Sequence, residues 1–127
     1  MPDKKRILVI DDEELLIKTF DRLLEKQGYE VYTVKNGADA IVMVEEEQFD
    51  LIITDIRMPG DDGVETIKKI DKVLKDQKRQ KIPIIFVTGY ADEKLEKEAM
   101  QLDPVAYFHK PFDAKEILEF VKTAVSS

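Results

Sequence analysis

Three short apolar runs constrain the fold of this chain more than any other feature of its sequence. Ile7–Ile10, Leu51–Thr54 and Ile84–Val87 are rich in β-branched residues and show no alternation of polar and apolar positions. Such strands are buried on both faces, which is typical of the interior of a parallel sheet. Val31–Val34 and Val105–Phe108 are shorter or more mixed in polarity, as edge strands are. The sequence therefore predicts three central strands and two edge strands.

Helical patterns lie between these strands. Apolar residues recur every three or four positions in five segments, marked by Leu16, Phe20, Leu23 and Leu24; by Ala40, Ile41 and Val44; by Val64, Ile67, Ile70 and Leu74; by Leu95, Ala99 and Leu102; and by Ile117, Val121 and Val125. Alternating strands and helices predict an α/β fold with a doubly wound parallel sheet. Right-handed crossovers favour the strand order 2-1-3-4-5, a flavodoxin-like (βα)5 sandwich. With no repeat or linker among its 127 residues, we expect one domain over residues 1–127.

Charge and composition exclude several classes of function. The net charge of −7 argues against direct binding to nucleic acid or to an anionic membrane. The chain has no cysteine, which excludes disulfides, thiolate zinc sites and thiol catalysis. No apolar run approaches the roughly 20 residues of a membrane span, and the residues after Met1 do not form a signal peptide. We therefore expect a cytoplasmic protein.

Carboxylates follow the first and third strands, where each strand ends. Asp11 and Asp12 come directly after Ile7–Ile10, and Asp55 follows the run that ends at Thr54. Strands 1 and 3 flank the point where the strand order reverses, and ligands of such sheets bind outside the carboxyl ends of the strands there. Carboxylates a few ångströms apart repel by roughly 4 kcal/mol per pair at an intermediate dielectric. A hard divalent cation such as Mg²⁺, which prefers oxygen ligands, would relieve that repulsion.

Helix capping is the alternative explanation for these acids. Asp11 or Asp12 could cap the first helix, where a carboxylate near the N-terminus is favourable. One cap accounts for one acid and does not account for Asp55, so we favour a functional site.

The ends of the fourth and fifth strands carry groups that could bind a ligand at the same edge of the sheet. Thr88 closes the fourth strand with a hydroxyl, and Gly89 leaves room for a group to approach the backbone. Lys110 follows the fifth strand. A hydroxyl and an ammonium beside a metal-bound carboxylate form a socket for a phosphoryl group, although each residue taken singly has an ordinary structural explanation.

The combined pattern resembles the receiver domain of two-component response regulators. Its parts are the Asp-Asp pair at 11–12, D-x-x-M-P-x-x-x-G from 55 to 63, Thr-Gly at 88–89 and Lys-Pro-Phe at 110–112. Any one motif is weak, but the four occur in order and span essentially the whole chain.

The resemblance implies a role for each matched residue. Asp55 corresponds to the phosphoacceptor, which attacks the phosphoryl group on a histidine of a partner kinase. Asp12 and Asp55 correspond to the side chains that bind Mg²⁺, and Asp11 to the acid that acts through metal-bound water. The backbone carbonyl of Arg57 corresponds to the third protein ligand of the metal.

The remaining matches concern phosphoryl binding and switching. Lys110 resembles the lysine that pairs with the phosphoryl oxygens, and Thr88 the hydroxyl that moves to hydrogen-bond them. Tyr107 takes the aromatic switch position. The resemblance also implies a cis Lys110–Pro111 peptide bond.

The mouth of the site is expected to be formed by Arg57, Gly89 and Tyr90. In the family that this chain resembles, the positions of Arg57 and Tyr90 govern the access of the hydrolytic water. Neither residue is an acid or amide suited to hold that water, which favours a long-lived phosphorylated state. Met58-Pro59 and Gly63 match the loop after the phosphoacceptor.

The function implied is that of a phosphoryl-accepting switch, with no turnover of an external substrate. Its partners would be a sensor histidine kinase or phosphotransfer protein and a downstream protein or output domain. The responding surface would be helix 4, strand 5 and helix 5, in a monomer or a phosphorylation-dependent homodimer. The cognate kinase and the form of the output stay open.

Three other functions are weighed against this one. A dehalogenase-like phosphatase would need an acid two residues after its nucleophile, where this chain has Arg57. A flavodoxin-like cofactor binder would need a phosphate-binding loop after the first strand, where four acids lie instead. A pseudo-receiver would be expected to lack a key residue, and none is missing.

Two features depart from or lie outside the pattern. The segment Lys75–Lys81 is rich in basic residues; we expect these to stabilise a helix C-terminus rather than to bind a partner. His109 is the only histidine, and we expect it to face solvent at the end of an edge strand.

Overall fold

The computed structural model describes residues 4–58, 60–89 and 91–126. Strands and helices alternate along the chain as the sequence predicts. They are β1 (Arg6–Ile10), α1 (Glu14–Lys26), β2 (Glu30–Val34), α2 (Gly37–Glu46), β3 (Leu51–Thr54), α3 (Gly63–Asp76), β4 (Ile84–Thr88), α4 (Glu93–Met100), β5 (Ala106–His109) and α5 (Ala114–Ser126). None of the helices in these ranges is long and apolar enough to cross a membrane.

The sheet is parallel throughout, with the strand order β2-β1-β3-β4-β5. The predicted order is confirmed. In its register Ile10 lies opposite both Val34 and Thr54, so β1 and β3 end side by side. The residues that follow these two strands therefore emerge at the same edge of the sheet.

Alternate residues of each central strand enter separate apolar layers. On one side, Ile7 and Val9 pack with residues of α1 and α5, among them Phe20, Leu24, Ile117 and Val121. On the other side, Leu8 and Ile10 pack with residues of α2, α3 and α4, among them Val44, Ile67, Ile70 and Ala99. Burying a side chain of this size stabilises the fold by about 1.5–3 kcal/mol. The double burial explains why the central strands are continuously apolar.

Side-chain caps define where three of the helices begin. Asn36, Asp62 and Asp92 each accept a hydrogen bond from the backbone N–H three residues later, at the N-termini of α2, α3 and α4. A cap of this kind contributes about 1 kcal/mol. At the other end of α1, Gly28 adopts a φ of 91°, a conformation that glycine accepts without strain.

The basic segment Lys75–Lys81 has a structural role at helix C-termini. Arg79 donates from its guanidinium to the carbonyl oxygens of Val44 (2.5 Å) and Glu47 (3.0 Å), at the end of α2. Lys81 donates to the carbonyl of Leu102 just beyond α4, at 3.1 Å. The helices involved are α2 and α4, which lie far from this segment in the sequence.

Candidate functional site

The acids predicted to cluster do so at the carboxyl ends of β1 and β3. The backbone N–H of Asp55 donates to the carbonyl of Ile10 at 2.9 Å, and that of Asp11 to Val34 at 3.1 Å. The sheet ladder thus continues one residue past each strand and brings the two aspartates together. Asp11 is 2% exposed and Asp55 is 3% exposed, whereas Asp12 is exposed to solvent.

The carboxylates are close enough to share a cation. One oxygen from each of Asp11, Asp12 and Asp55 lies within 4.8 Å of the others. All of these donors are hard oxygen atoms, and two of them belong to buried side chains. This donor set fits Mg²⁺, which binds through one or two carboxylates together with water. The three acids could therefore hold a metal ion.

Lys110 supplies a positive charge to the same cluster. Its Nζ lies 3.2 Å from Oδ2 of Asp11, 3.1 Å from Oδ2 of Asp55 and 3.3 Å from Oε1 of Glu13. The lysine side chain is only 15% exposed. Its backbone N–H donates to the carbonyl of Thr88 at 2.8 Å, which fixes it beside β4. Three strand ends therefore converge on one point, and the predicted cis bond between Lys110 and Pro111 is present.

Burial disfavours the charged forms of Asp11 and Asp55. Burial, together with the charge of Asp55, raises the pKa of Asp11 to about 6. The hydrogen bond from the Glu13 N–H and the ammonium of Lys110 act in the opposite direction. Burial also raises the pKa of Asp55, while Lys110 and the backbone N–H groups of Ile56 and Arg57 lower it. One ammonium does not fully compensate two buried carboxylates. Burial therefore disfavours the charged forms of both carboxylates.

Helix capping does not explain the acids after β1. The N-cap residue of α1 is Glu13, whose side chain makes no capping hydrogen bond. The Oδ1 of Asp11 accepts from the Glu13 N–H at 2.9 Å, before the helix begins, while Oδ2 faces Lys110. The buried position of Asp11 therefore serves the cluster and not the helix.

The loop after Asp55 runs tightly against the start of α3. The N–H of Gly63 donates to the carbonyl of Ile56 at 2.6 Å. A Cβ at Gly63 would lie 2.1 Å from the backbone oxygen of Asp55, so a side chain cannot be accommodated there. Gly63 is thus required for the close approach of the α3 N-terminus to the predicted phosphoacceptor.

The predicted mouth of the site is only partly within the described residues. Thr88 is buried at the end of β4 and Gly89 is exposed. A Cβ at Gly89 would meet only Cδ of Lys110, at an ordinary contact distance of 3.7 Å. Tyr90 and Pro59 lie outside the described residues.

Tyr107, the predicted switch residue, is a half-buried residue of β5 that packs against the apolar layer including Ala99 of α4. Its ring centroid lies 6.2 Å from that of Phe86 and 5.3 Å from that of His109. Burial, together with the charges of Glu96, Asp92 and Asp55, raises the pKa of Tyr107 to about 12. His109 itself is exposed, as expected from its position at the end of an edge strand.

Comparison with protein families identifies the family in which this arrangement of side chains occurs. The family model of the response regulator receiver domain matches residues 7–122, which include every described residue of the cluster. The chain belongs to this family.

Known relatives of this receiver domain agree with the assignment. It is 32% identical to sporulation initiation phosphotransferase F of Bacillus subtilis (strain 168) over 118 residues, covering 93% of this chain and 91% of that protein. A CheY-like response regulator receiver domain protein from Methanospirillum hungatei JF-1 is 29% identical, with a TM-score of 0.88 over 98% of this chain and 95% of that one.

A third relative is a response regulator receiver domain protein from Clostridium thermocellum. It is 28% identical, with a TM-score of 0.82 over 96% of this chain and 94% of that one. The chain is therefore a receiver domain of the two-component type, and its class of function is phosphorylation-based signalling.

Two contacts of this receiver domain were missed by the sequence interpretation. Glu13, to which the sequence interpretation assigned no role, accepts a hydrogen bond from Lys110. Arg57 was assigned to the mouth of the site with no ion-pair partner, and the structure pairs it with Asp92, whose Oδ2 lies 3.1 Å from the guanidinium. Asp92 could have been identified as the N-cap of α4 from its place before the helical pattern, but its pairing with Arg57 could not.

Proposed function

We propose that residues 1–127 act as one receiver domain that accepts a phosphoryl group on Asp55. The donor is a phosphohistidine of a sensor kinase or of a phosphotransfer protein. The observation that carries this proposal is the buried position of Asp55, with its Oδ2 3.1 Å from Lys110 and its carboxylate beside Asp11. A buried nucleophile with an adjacent fixed cation suits transfer of an anionic group.

The chemistry at Asp55 is a displacement at phosphorus. A bond from an Asp55 carboxylate oxygen to phosphorus forms while the bond from phosphorus to the donor's imidazole nitrogen breaks. The electron pair of the broken bond stays on that nitrogen. Lys110 faces the phosphoryl oxygens and neutralises part of their charge, and the backbone N–H of Ile56, 2.7 Å from Oδ1, orients the nucleophile.

Asp11, Asp12, Asp55 and the backbone carbonyl of Arg57 are the groups that we propose hold Mg²⁺. The bound ion supplies charge neutralisation between the carboxylates and the incoming phosphoryl group. Support for this assignment comes from the spacing of the three carboxylates and the raised pKa of Asp11 and Asp55, both of which favour an added cation.

The response to phosphorylation is proposed to pass through Thr88 and Tyr107 to the surface formed by α4, β5 and α5. A downstream protein or output domain, or a second copy of the chain, would read this surface. The domain promotes only its own phosphorylation and dephosphorylation and does not turn over an external metabolite. Support comes from the half-buried ring of Tyr107, which lies near Phe86 of β4 and packs against the apolar layer that includes Ala99 of α4.

Phosphorylation by a small-molecule donor tests the acceptor. Incubation with acetyl phosphate and Mg²⁺ should add one phosphoryl group that is labile to hydroxylamine, as acyl phosphates are. Asp55→Asn should abolish the label and keep the fold, because the amide is isosteric. Asp76→Asn, a change of the same kind at an exposed position of α3, should leave labelling intact. Stable label on a serine, threonine or histidine would overturn the assignment.

Omission of the metal tests the acidic cluster separately. Without Mg²⁺, or with Asp12→Ala in its presence, labelling should fall to near background. Asp12 is exposed, so its substitution should leave the free energy of unfolding of the metal-free protein almost unchanged. Labelling that does not depend on Mg²⁺ would contradict the proposed role of these acids.

A further inference from the structure

An ion pair crosses the surface between the loop after Asp55 and the first turn of α4. Nη2 of Arg57 lies 3.1 Å from Oδ2 of Asp92, and these side chains are 51% and 28% exposed. The two residues are 35 positions apart in the sequence and belong to the connections that follow β3 and β4. The pair is therefore a tertiary contact at the edge of the phosphorylation site.

Asp92 connects that ion pair to the helix. While Oδ2 faces Arg57, Oδ1 accepts a hydrogen bond from the backbone N–H of Leu95 at 3.1 Å. The hydrogen bond from Leu95 lowers the pKa of Asp92, and so do the hydrogen bond and the charge of Arg57. Within α4, all of which the structure describes, only Ala99 is buried. Since little apolar surface anchors this helix, its first turn depends on the contacts of its cap.

The backbone of Arg57 is also held beside the carboxylate of Asp55. Arg57 lies two residues after Asp55, and its backbone N–H already stabilises the Asp55 carboxylate. A guanidinium binds phosphate through two parallel hydrogen bonds and is the side chain best suited to that geometry. A phosphoryl group carries about two negative charges against the single charge of Asp92. An exposed ion pair is weak enough to be exchanged for such a partner.

We propose that Asp92 is a positioning residue that holds Arg57 away from the phosphoryl site until Asp55 is phosphorylated. On phosphorylation Arg57 leaves Asp92 for the phosphoryl oxygens, and the cap of α4 loses its cationic partner. This exchange couples the acceptor to α4 by a route that does not involve Thr88 or Tyr107. The inference rests on the proposed phosphorylation of Asp55.

Asp92→Asn separates the ion pair from the cap. Asparagine caps helices as well as aspartate does but carries no charge for Arg57. Arg57 then no longer has to leave a carboxylate to reach a bound phosphoryl group. Beryllofluoride, a mimic of that group, should therefore bind in the presence of Mg²⁺ about two- to fivefold more tightly. This is the range expected from the energy of an exposed ion pair. The rate of labelling by acetyl phosphate should rise by a similar factor. Asp62→Asn, the same change at the cap of α3, should alter neither quantity.

A double-mutant cycle distinguishes this role from a structural one. In an Arg57→Gln background, Asp92→Asn should have no effect on beryllofluoride affinity, because the group that Asp92 holds is absent. Beryllofluoride should also shift the amide NMR signal of Leu95 in the wild-type protein more than in Arg57→Gln. An equal effect of Asp92→Asn in both backgrounds, or no effect with Arg57 present, would overturn the proposal.

The two proposals fail in different ways. If the wild-type protein is not labelled on Asp55, the proposed function is wrong, and the exchange of Arg57 is wrong as well. If the wild-type protein is labelled but the cycle is additive, the proposed function stands and the role of Asp92 is wrong.

Discussion

Lys110 shows how one side chain can make a crowded group of acids tolerable. Its ammonium lies within 3.3 Å of oxygens from Asp11, Glu13 and Asp55 and has little access to water. Removing this ammonium would leave two buried carboxylates without their cation, which is far more destabilising than losing an exposed pair. The stability of the metal-free protein therefore depends on the charge state of this cluster.

The pH dependence of stability should report that charge state. The pKa of Asp11 is about 6 in the folded protein against an ordinary value of 3.8. Between those values the folded state binds more protons than the unfolded state, so stability should rise as the pH falls from 7 to 5. The ionisation of Asp11 changes the free energy of unfolding by at most about 3 kcal/mol. Urea unfolding of the metal-free wild-type protein and of Asp11→Asn, compared at each pH, measures this change.

The control for this measurement is Asp76→Asn, which removes an exposed carboxylate of α3. It should follow the wild-type profile from pH 7 to 5. Asp11→Asn should be the more stable protein at pH 7 and should lose that advantage at lower pH. A constant difference between Asp11→Asn and the wild-type protein across this range would contradict the raised pKa.

At the level of elements, the site depends on how closely α3 approaches the end of β3. Gly63 begins α3, and a Cβ there would lie 2.1 Å from the backbone oxygen of Asp55. Gly63→Ala should therefore push the two segments apart and destabilise the protein by about 1–3 kcal/mol, as overpacking does. The displaced Asp55 should also accept phosphate more slowly. Urea unfolding and acetyl phosphate labelling measure the two effects.

Gly89→Ala serves as the matched substitution for stability. Its Cβ would meet only the side chain of Lys110, at 3.7 Å, so the free energy of unfolding should change by much less than with Gly63→Ala. Equal losses for the two variants would show that general glycine effects, and not the contact with Asp55, account for the result.

At the level of the whole molecule, strand pairing offers a path from the acceptor to the surface of α4 and β5. Thr88 pairs in register with His109, and Phe86 with Tyr107, whose ring packs against the apolar layer beneath α4. Movement of Thr88 toward bound phosphoryl oxygens should change the space open to the Tyr107 ring, since a close-packed layer does not deform locally.

Amide NMR spectra with Mg²⁺ and beryllofluoride should test this coupling. Shifts should extend over β4, β5 and α4, whereas α2, which packs against β1, β2 and α3, should change little. Thr88→Ala should still bind beryllofluoride but give smaller shifts at Tyr107 and in α4. Shifts confined to the neighbours of Asp55 would contradict a conformational response.

The strands, the helices and the acidic site could be predicted because their signals are local. Ile7–Ile10 and Ile84–Val87 are continuously apolar because both faces of a central strand are buried, and this requirement is visible in four consecutive residues. Parallel strands end at a common edge of the sheet. Asp11, Asp55 and Lys110 could therefore be assigned to one site from their positions after the first, third and fifth strands.

The pairings of individual charged side chains were decided only by the tertiary structure. Arg57 meets Asp92 because β3 and β4 are neighbours and α4 begins where its cap faces the β3–α3 loop. Arg79 reaches the end of α2 because α2 and α3 pack side by side. Charged surface residues have no periodicity that names a partner, and an exposed pair contributes too little energy to impose a pattern on the sequence. Hydrophobic burial determined the fold from the sequence itself, and the packing of whole elements decided which charges meet.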